Sequence, residues 1–119
     1  MKKKILVVDD SATARMLFKI CFASQDEYVL LEASTWQEAM KKVKEENPVL
    51  VVFDYNMPDK VGTELAALMR EEGVTTPFAL MSANTQNHVM DEIETLGFIH
   101  VMEKPVTAEM VQGLLEKIR

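Results

Sequence analysis

Short apolar runs alternate along the chain with stretches where apolar residues recur at helical spacing. The runs are Ile5–Val8, Tyr28–Leu31, Val49–Phe53, Phe78–Met81 and Phe98–Met102. Strands that are apolar on both faces belong to a parallel sheet covered by helices on both sides. Between them, Met16, Leu17, Ile20 and Cys21 form one stripe, and Trp36, Ala39, Met40 and Val43 a second. Leu65, Leu68 and Met69 form a third, and Val89, Ile93 and Leu96 a fourth. Val111, Leu114, Leu115 and Ile118 repeat at i, i+3, i+4 and i+7, the spacing of one helix face. Asn47-Pro48, Gly73, Thr76-Pro77, Gly97 and Lys104-Pro105 punctuate the pattern where one element gives way to the next. The pattern predicts five βα units in one α/β domain over residues 1–119. Right-handed crossovers leave few arrangements for five parallel strands. The flavodoxin-like order 2-1-3-4-5, a doubly wound sheet, is the expected one, with a crevice where strands 1 and 3 end.

That crevice is where the charges fall. Asp9-Asp10 follows the first strand and Asp54 ends the third, straight after four apolar residues. Two carboxylates about 4 Å apart repel by roughly 4 kcal/mol at an effective dielectric near 20. Three in one crevice need protons or a cation to relieve them. Carboxylate oxygens, a loop carbonyl and waters make a hard site of the kind Mg²⁺ prefers. Ser82 closes the fourth strand and Lys104 the fifth, at the same rim. A cation, an ammonium and a hydroxyl around one carboxylate suit a phosphoryl group, whose transfer needs charge neutralisation and an in-line nucleophile. Asp54, central between the acidic pair and Lys104, is the candidate nucleophile.

Taken singly, each signal has a plainer meaning. Asp10-Ser11 can cap a helix, Ser82 can start one, and Lys104 can be a solvated lysine. Four strand ends supplying complementary groups to one rim outweigh those meanings. The lone Cys21 excludes an internal disulfide or a multi-cysteine zinc site and reads as inert core. A net charge of −6 and a pI near 4.9 argue against direct nucleic-acid binding. Nine methionines read as flexible core filler. No apolar run is long enough to span a bilayer, and the run after Lys2-Lys3-Lys4 is too short for a secretion signal. The expectation is a cytoplasmic protein without membrane partners. His88 and His100 lie away from the strand ends and are given no chemistry.

Asp9-Asp10, Asp54 in the segment DYNMP, Ser82-Ala83 and Lys104-Pro105 together resemble the signature of response-regulator receiver domains of two-component signalling. The resemblance spans the whole chain and is nearest to the single-domain chemotaxis type. It implies that Asp54 is the phosphoacceptor and that Asp10, Asp54 and the Asn56 backbone carbonyl hold Mg²⁺, with Asp9 acting through a water on the metal. It implies that Lys104 pairs with Asp54 and then with a phosphoryl oxygen, that Ser82 bonds another and moves inward, and that Pro105 follows a cis bond. It also implies a histidine kinase or small phosphodonor upstream. Downstream it implies a protein target at the face of the fourth helix, fifth strand and fifth helix, in a monomer or weak dimer. Such a domain catalyses only its own phosphorylation and dephosphorylation. Two positions depart from the family: Val101 stands where an aromatic switch residue is usual, and Val106 where Phe often follows Lys-Pro. Val101 sustains one alternative, a receiver-like interaction module that works without phosphorylation. An aspartate-nucleophile phosphohydrolase is disfavoured, because it needs a second acid two residues after the nucleophile, where this chain has Asn56.

Overall fold

The computed structural model describes residues 2–22, 27–55, 61–82 and 94–118. Strands β1 (Lys3–Val8), β2 (Tyr28–Ala33), β3 (Leu50–Asp54), β4 (Phe78–Ser82) and β5 (Phe98–Glu103) form one sheet in the order β2-β1-β3-β4-β5. Every pairing is parallel, so this is the doubly wound, flavodoxin-like sheet expected from the sequence. Helices α1 (Ala12–Cys21), α2 (Trp36–Glu46), α3 (Gly62–Glu71) and a C-terminal helix (Ala108–Ile118) lie between or after the strands. Of the fourth predicted stripe, Leu96 lies in a short helical segment, while Val89 and Ile93 fall outside the described residues.

Local chemistry sets the helix ends. Ser11 caps α1 by accepting from the Ala14 N–H at 3.2 Å, and Thr35 caps α2 by accepting from Glu38 at 3.1 Å. Thr107 accepts from the Met110 N–H at the head of the C-terminal helix. Asn47 ends α2 with φ of 53°, and Gly73 follows α3 with φ of 88°, the left-handed turn that terminates helices.

Side-chain alternation along the strands sorts the core into two layers. Leu6, Val8, Val51, Phe53, Phe78 and Leu80 pack with Ala39 and Val43 of α2 and Leu65, Ala66 and Met69 of α3. Ile5, Val7, Leu50, Val52, Ala79 and Met81 pack with Phe18 and Phe22 of α1 and with Val111, Leu114 and Leu115. The register of β4 and β5 slips by one residue, pairing Phe78 with Phe98 but Ala79 with His100.

The first helix departs from expectation. Met16 and Ile20, assigned to its buried stripe, are 63% and 65% exposed, and Leu17 is 38% exposed. Phe18 and Phe22 face the sheet instead, with ring centroids 5.8 Å apart. The helix is apolar around most of its girth, and the two aromatic side chains, which have the most surface to bury, occupy the side against the sheet. Cys21 is half-buried, its Sγ 3.5 Å from the Val106 carbonyl.

Candidate functional site

The alternation that builds the core also delivers the site. Asp9 continues the series Ile5 and Val7, Asp54 continues Leu50 and Val52, and Lys104 continues Met102, so all three follow the same face of the sheet. Backbone pairing runs past the strand ends and holds them rigid. The Asp9 N–H donates to the Ala33 carbonyl at 3.1 Å, Tyr55 to Met81 at 2.9 Å and Lys104 to Ser82 at 2.9 Å.

One carboxylate oxygen from each of Asp9, Asp10 and Asp54 lies within 4.8 Å of the other two. Asp9 is fully buried, Asp54 nearly so, and Asp10 is exposed. Lys104 Nζ sits between two of them, 3.1 Å from Asp9 Oδ2 and 3.0 Å from Asp54 Oδ1. Desolvation pulls the Lys104 pKa down, but hydrogen bonds and charge from Asp54 and Asp9 outweigh it, so the ammonium titrates above the ordinary lysine range. Asp9 Oδ1 accepts the Ser11 N–H at 2.9 Å, which ties the carboxylate into the first turn of α1. Ser82 is buried at the end of β4, beside the same rim. Asn56 lies outside the described residues, as do Ala83 and His88. The Lys104–Pro105 peptide is cis.

The donor set fits a hard divalent cation. Three carboxylates meet one ammonium, so negative charge remains in excess, and the exposed Asp10 leaves a side open for the waters that Mg²⁺ retains. Beside Lys104, an apolar cleft of about 360 Å³ runs between α1 and the loop after β5, lined by Ala14, Leu17, Met81, Pro105 and Val106.

Two residues that serve the site gave no signal in the sequence. Arg15 donates from Nη1 to the Asp9 carbonyl at 2.6 Å and from Nε to Glu32 Oε1 at 3.1 Å. Gly62 opens α3 against β3, where an added Cβ would lie 2.6 Å from the Asp54 carbonyl oxygen. Val101 is half-buried against the core layer that holds Phe53, Phe78 and Phe98. His100 lies within β5 and away from the acidic cluster, and its pKa is lowered by desolvation and by Lys117.

Residues 5–116 match the response regulator receiver domain. The chain belongs to that family. It is 30% identical over 118 residues to the chemotaxis protein CheY of Bacillus subtilis, covering 98% of each chain. It is also 30% identical to the alkaline phosphatase synthesis transcriptional regulatory protein PhoP of the same species, over 99% of this chain and 49% of that protein. Among solved structures, chemotaxis protein CheY4 of Vibrio cholerae superposes with a TM-score of 0.90, at 23% identity and full coverage of both chains. Receiver domains are signalling switches of two-component systems rather than conventional enzymes, and the cluster of Asp9, Asp10 and Asp54 fits their acidic site. No helix among the described residues is long and apolar enough to cross a membrane.

Proposed function

We propose that this receiver accepts a phosphoryl group on Asp54 from the phosphohistidine of a histidine kinase, or from a small phosphodonor. The observation that carries the reading is Lys104 Nζ held at 3.0 Å from Asp54 and 3.1 Å from Asp9, beside the exposed Asp10. An Asp54 oxygen attacks phosphorus, the bond from phosphorus to the donor atom breaks, and the electron pair leaves with the donor. Asp54 is fixed at a buried strand end, which keeps its approach geometry reproducible. Lys104, tethered by Asp9, passes from Asp54 to a phosphoryl oxygen, and Ser82 donates to another. Asp10, Asp54 and the Asn56 carbonyl would hold Mg²⁺, which supplies neutralisation of phosphoryl charge.

The chain then works as a single receiver unit, in the cytoplasm. Its output is a change in affinity for a partner protein at the face that includes β5 and the C-terminal helix. The exposed apolar residues Met16, Leu17 and Ile20 on α1, the helix that begins beside the acids, suit contact with the donor protein. An Ile20→Asp change should then slow transfer from a phosphorylated kinase and leave the rate with acetyl phosphate unchanged.

Incubation with Mg²⁺ and acetyl phosphate, followed by intact mass, tests the central claim. One added phosphoryl group is expected, absent from Asp54→Asn and from protein in chelator. No adduct on folded wild-type protein would leave the phosphorylation-independent module. A partner whose affinity ignored beryllofluoride would point the same way.

A further inference from the structure

We propose that Arg15 is a positioning residue for the acidic pair: by bridging the Asp9 carbonyl to Glu32 it holds the turn carrying Asp9 and Asp10 in the shape that binds a divalent cation. The inference rests on the cluster being a cation site, as proposed above, and adds a residue outside that cluster.

Asp9 is fully buried. Its N–H is spent on the Ala33 carbonyl, and its side-chain oxygens on Ser11 and Lys104. Its carbonyl, just past the end of β1, is shielded from bulk solvent and accepts from Arg15 Nη1 at 2.6 Å. The Arg15 side chain is itself largely buried, at 16% exposure, and its Nε is held by Glu32 Oε1 at 3.1 Å. Lys19 takes the other Glu32 oxygen at 3.7 Å, and Lys42 Nζ donates to the Glu32 carbonyl. The acid-bearing turn is therefore braced against the edge strand β2 through a planar fork with two fixed directions.

Arg15 could act on a bound cation in two opposite ways. Its charge would repel the cation, while its hydrogen bonds would order the ligands. Glu32, 3.1 Å from the guanidinium and shared with Lys19, offsets part of that charge, while both directed hydrogen bonds of Arg15 act on the geometry of the acid-bearing turn. Ordering is therefore the dominant effect. Groups that orient metal ligands from behind typically change affinity by about 10- to 100-fold when removed.

Mn²⁺, a hard cation with a direct spectroscopic readout, serves as the probe, with free Mn²⁺ followed by EPR. Arg15→Gln and Arg15→Lys should both weaken binding about tenfold, because lysine keeps the charge but not the fork. Lys4→Gln, which breaks the distant 2.7 Å pair with Glu46, should leave the Mn²⁺ affinity unchanged. An Arg15→Lys variant that binds like wild type would overturn the positioning role. A loss of thermal stability with unchanged affinity would do the same, by reducing Arg15 to a structural brace. Should the Arg15 variants not fold, Glu32→Gln substitutes for them, and unchanged Mn²⁺ affinity in that variant would also overturn the proposal. Wild-type protein that bound no Mn²⁺ would instead overturn the cation-site reading on which this rests.

Discussion

Two glycine-to-alanine substitutions in this chain should have opposite signs, and the structure supplies the reason. Gly62 is the first residue of α3, and a Cβ there would stand 2.6 Å from the Asp54 carbonyl oxygen, 3.2 Å from its carbon and 3.2 Å from Phe53 Cβ. None of these atoms can swing aside, since all belong to the buried end of β3, and the Gly62 N–H is itself bound to the Tyr55 carbonyl at 2.8 Å. Either the start of α3 or the end of β3 must move by several tenths of an ångström. Overpacking of this kind costs about 1–3 kcal/mol. Against it stands the usual gain from Gly→Ala, about 0.4–1 kcal/mol through the unfolded chain. The clash wins, for a net loss of about 1–2 kcal/mol. In a domain of this size that lowers the melting temperature by roughly 4–10 °C.

Gly113, in the C-terminal helix, is the matched control. A Cβ there meets nothing within 4 Å, so only the favourable terms remain, and Gly113→Ala should raise the melting temperature by a few degrees. Calorimetry of both variants in chelator, paired with the rate of phosphorylation by acetyl phosphate, is the assay. Gly62→Ala should also slow phosphorylation, because the segment it displaces carries Asp54, whereas Gly113→Ala should not. A Gly62→Ala protein that melts at or above the wild type, with an unchanged rate, would refute the packing argument.

Three further outcomes follow from single contacts. Lys104→Met should cost about 3 kcal/mol in metal-free buffer, by urea titration, since it strips the counter-charge from the buried Asp9 and Asp54, and Mg²⁺ should restore much of it. No loss, or no rescue, would contradict the charge account. The Tyr28 hydroxyl is buried with no hydrogen-bond partner among the described residues, so Tyr28→Phe should be neutral or stabilising by up to about 1 kcal/mol. A clear destabilisation would mean the hydroxyl is satisfied. His100 has its pKa lowered from 6.5 by desolvation and by Lys117, so below pH 6.5 the unfolded chain takes up the proton first and stability falls as pH drops through the folded value. His100→Gln should flatten the fall in melting temperature below about pH 6.5, and an unchanged slope would assign it to other groups.

The parts of this structure that were legible in the sequence are those where one residue type has one physical use. Strands apolar on both faces could only lie inside, and a charge ending such a strand could only sit at its rim, so Asp54, Asp9, Ser82 and Lys104 were placed correctly at four strand ends. Periodicity failed at α1, where Met16, Leu17 and Ile20 make as good a stripe as Phe18 and Phe22. Which arc faces the sheet depends on side-chain volume against the neighbouring layer, and a hydropathy pattern does not carry that. The one-residue slip between β4 and β5 was invisible for a related reason, because an apolar strand reads alike in either register. Arg15 and Gly62 escaped because each acts on the backbone of another element, the Asp9 carbonyl and the Asp54 carbonyl. Backbone leaves no mark in residue type.

The paired acids Asp9 and Asp10 look interchangeable in sequence, yet the structure gives them different work. Both Asp9 oxygens already accept, one from the Ser11 N–H and one from Lys104 Nζ, while Asp10 is exposed. An asparagine has one acceptor oxygen and one donor amide. In Asp9→Asn, whichever way the amide turns, either Ser11 or Lys104 faces an N–H, and a buried donor is left unsatisfied. That costs about 1–3 kcal/mol and loosens the tether on Lys104. Asp10→Asn strands no buried group and relieves repulsion from its two neighbours, worth about 1 kcal/mol for an exposed charge. Asp9→Asn should therefore lower stability in chelator and Asp10→Asn raise it slightly, although both weaken Mn²⁺ binding. Urea titrations with and without the cation separate the two. Equal losses of stability in the two variants would mean that the acids share one role, and that Asp9 is not the tether that holds Lys104 between the strand ends.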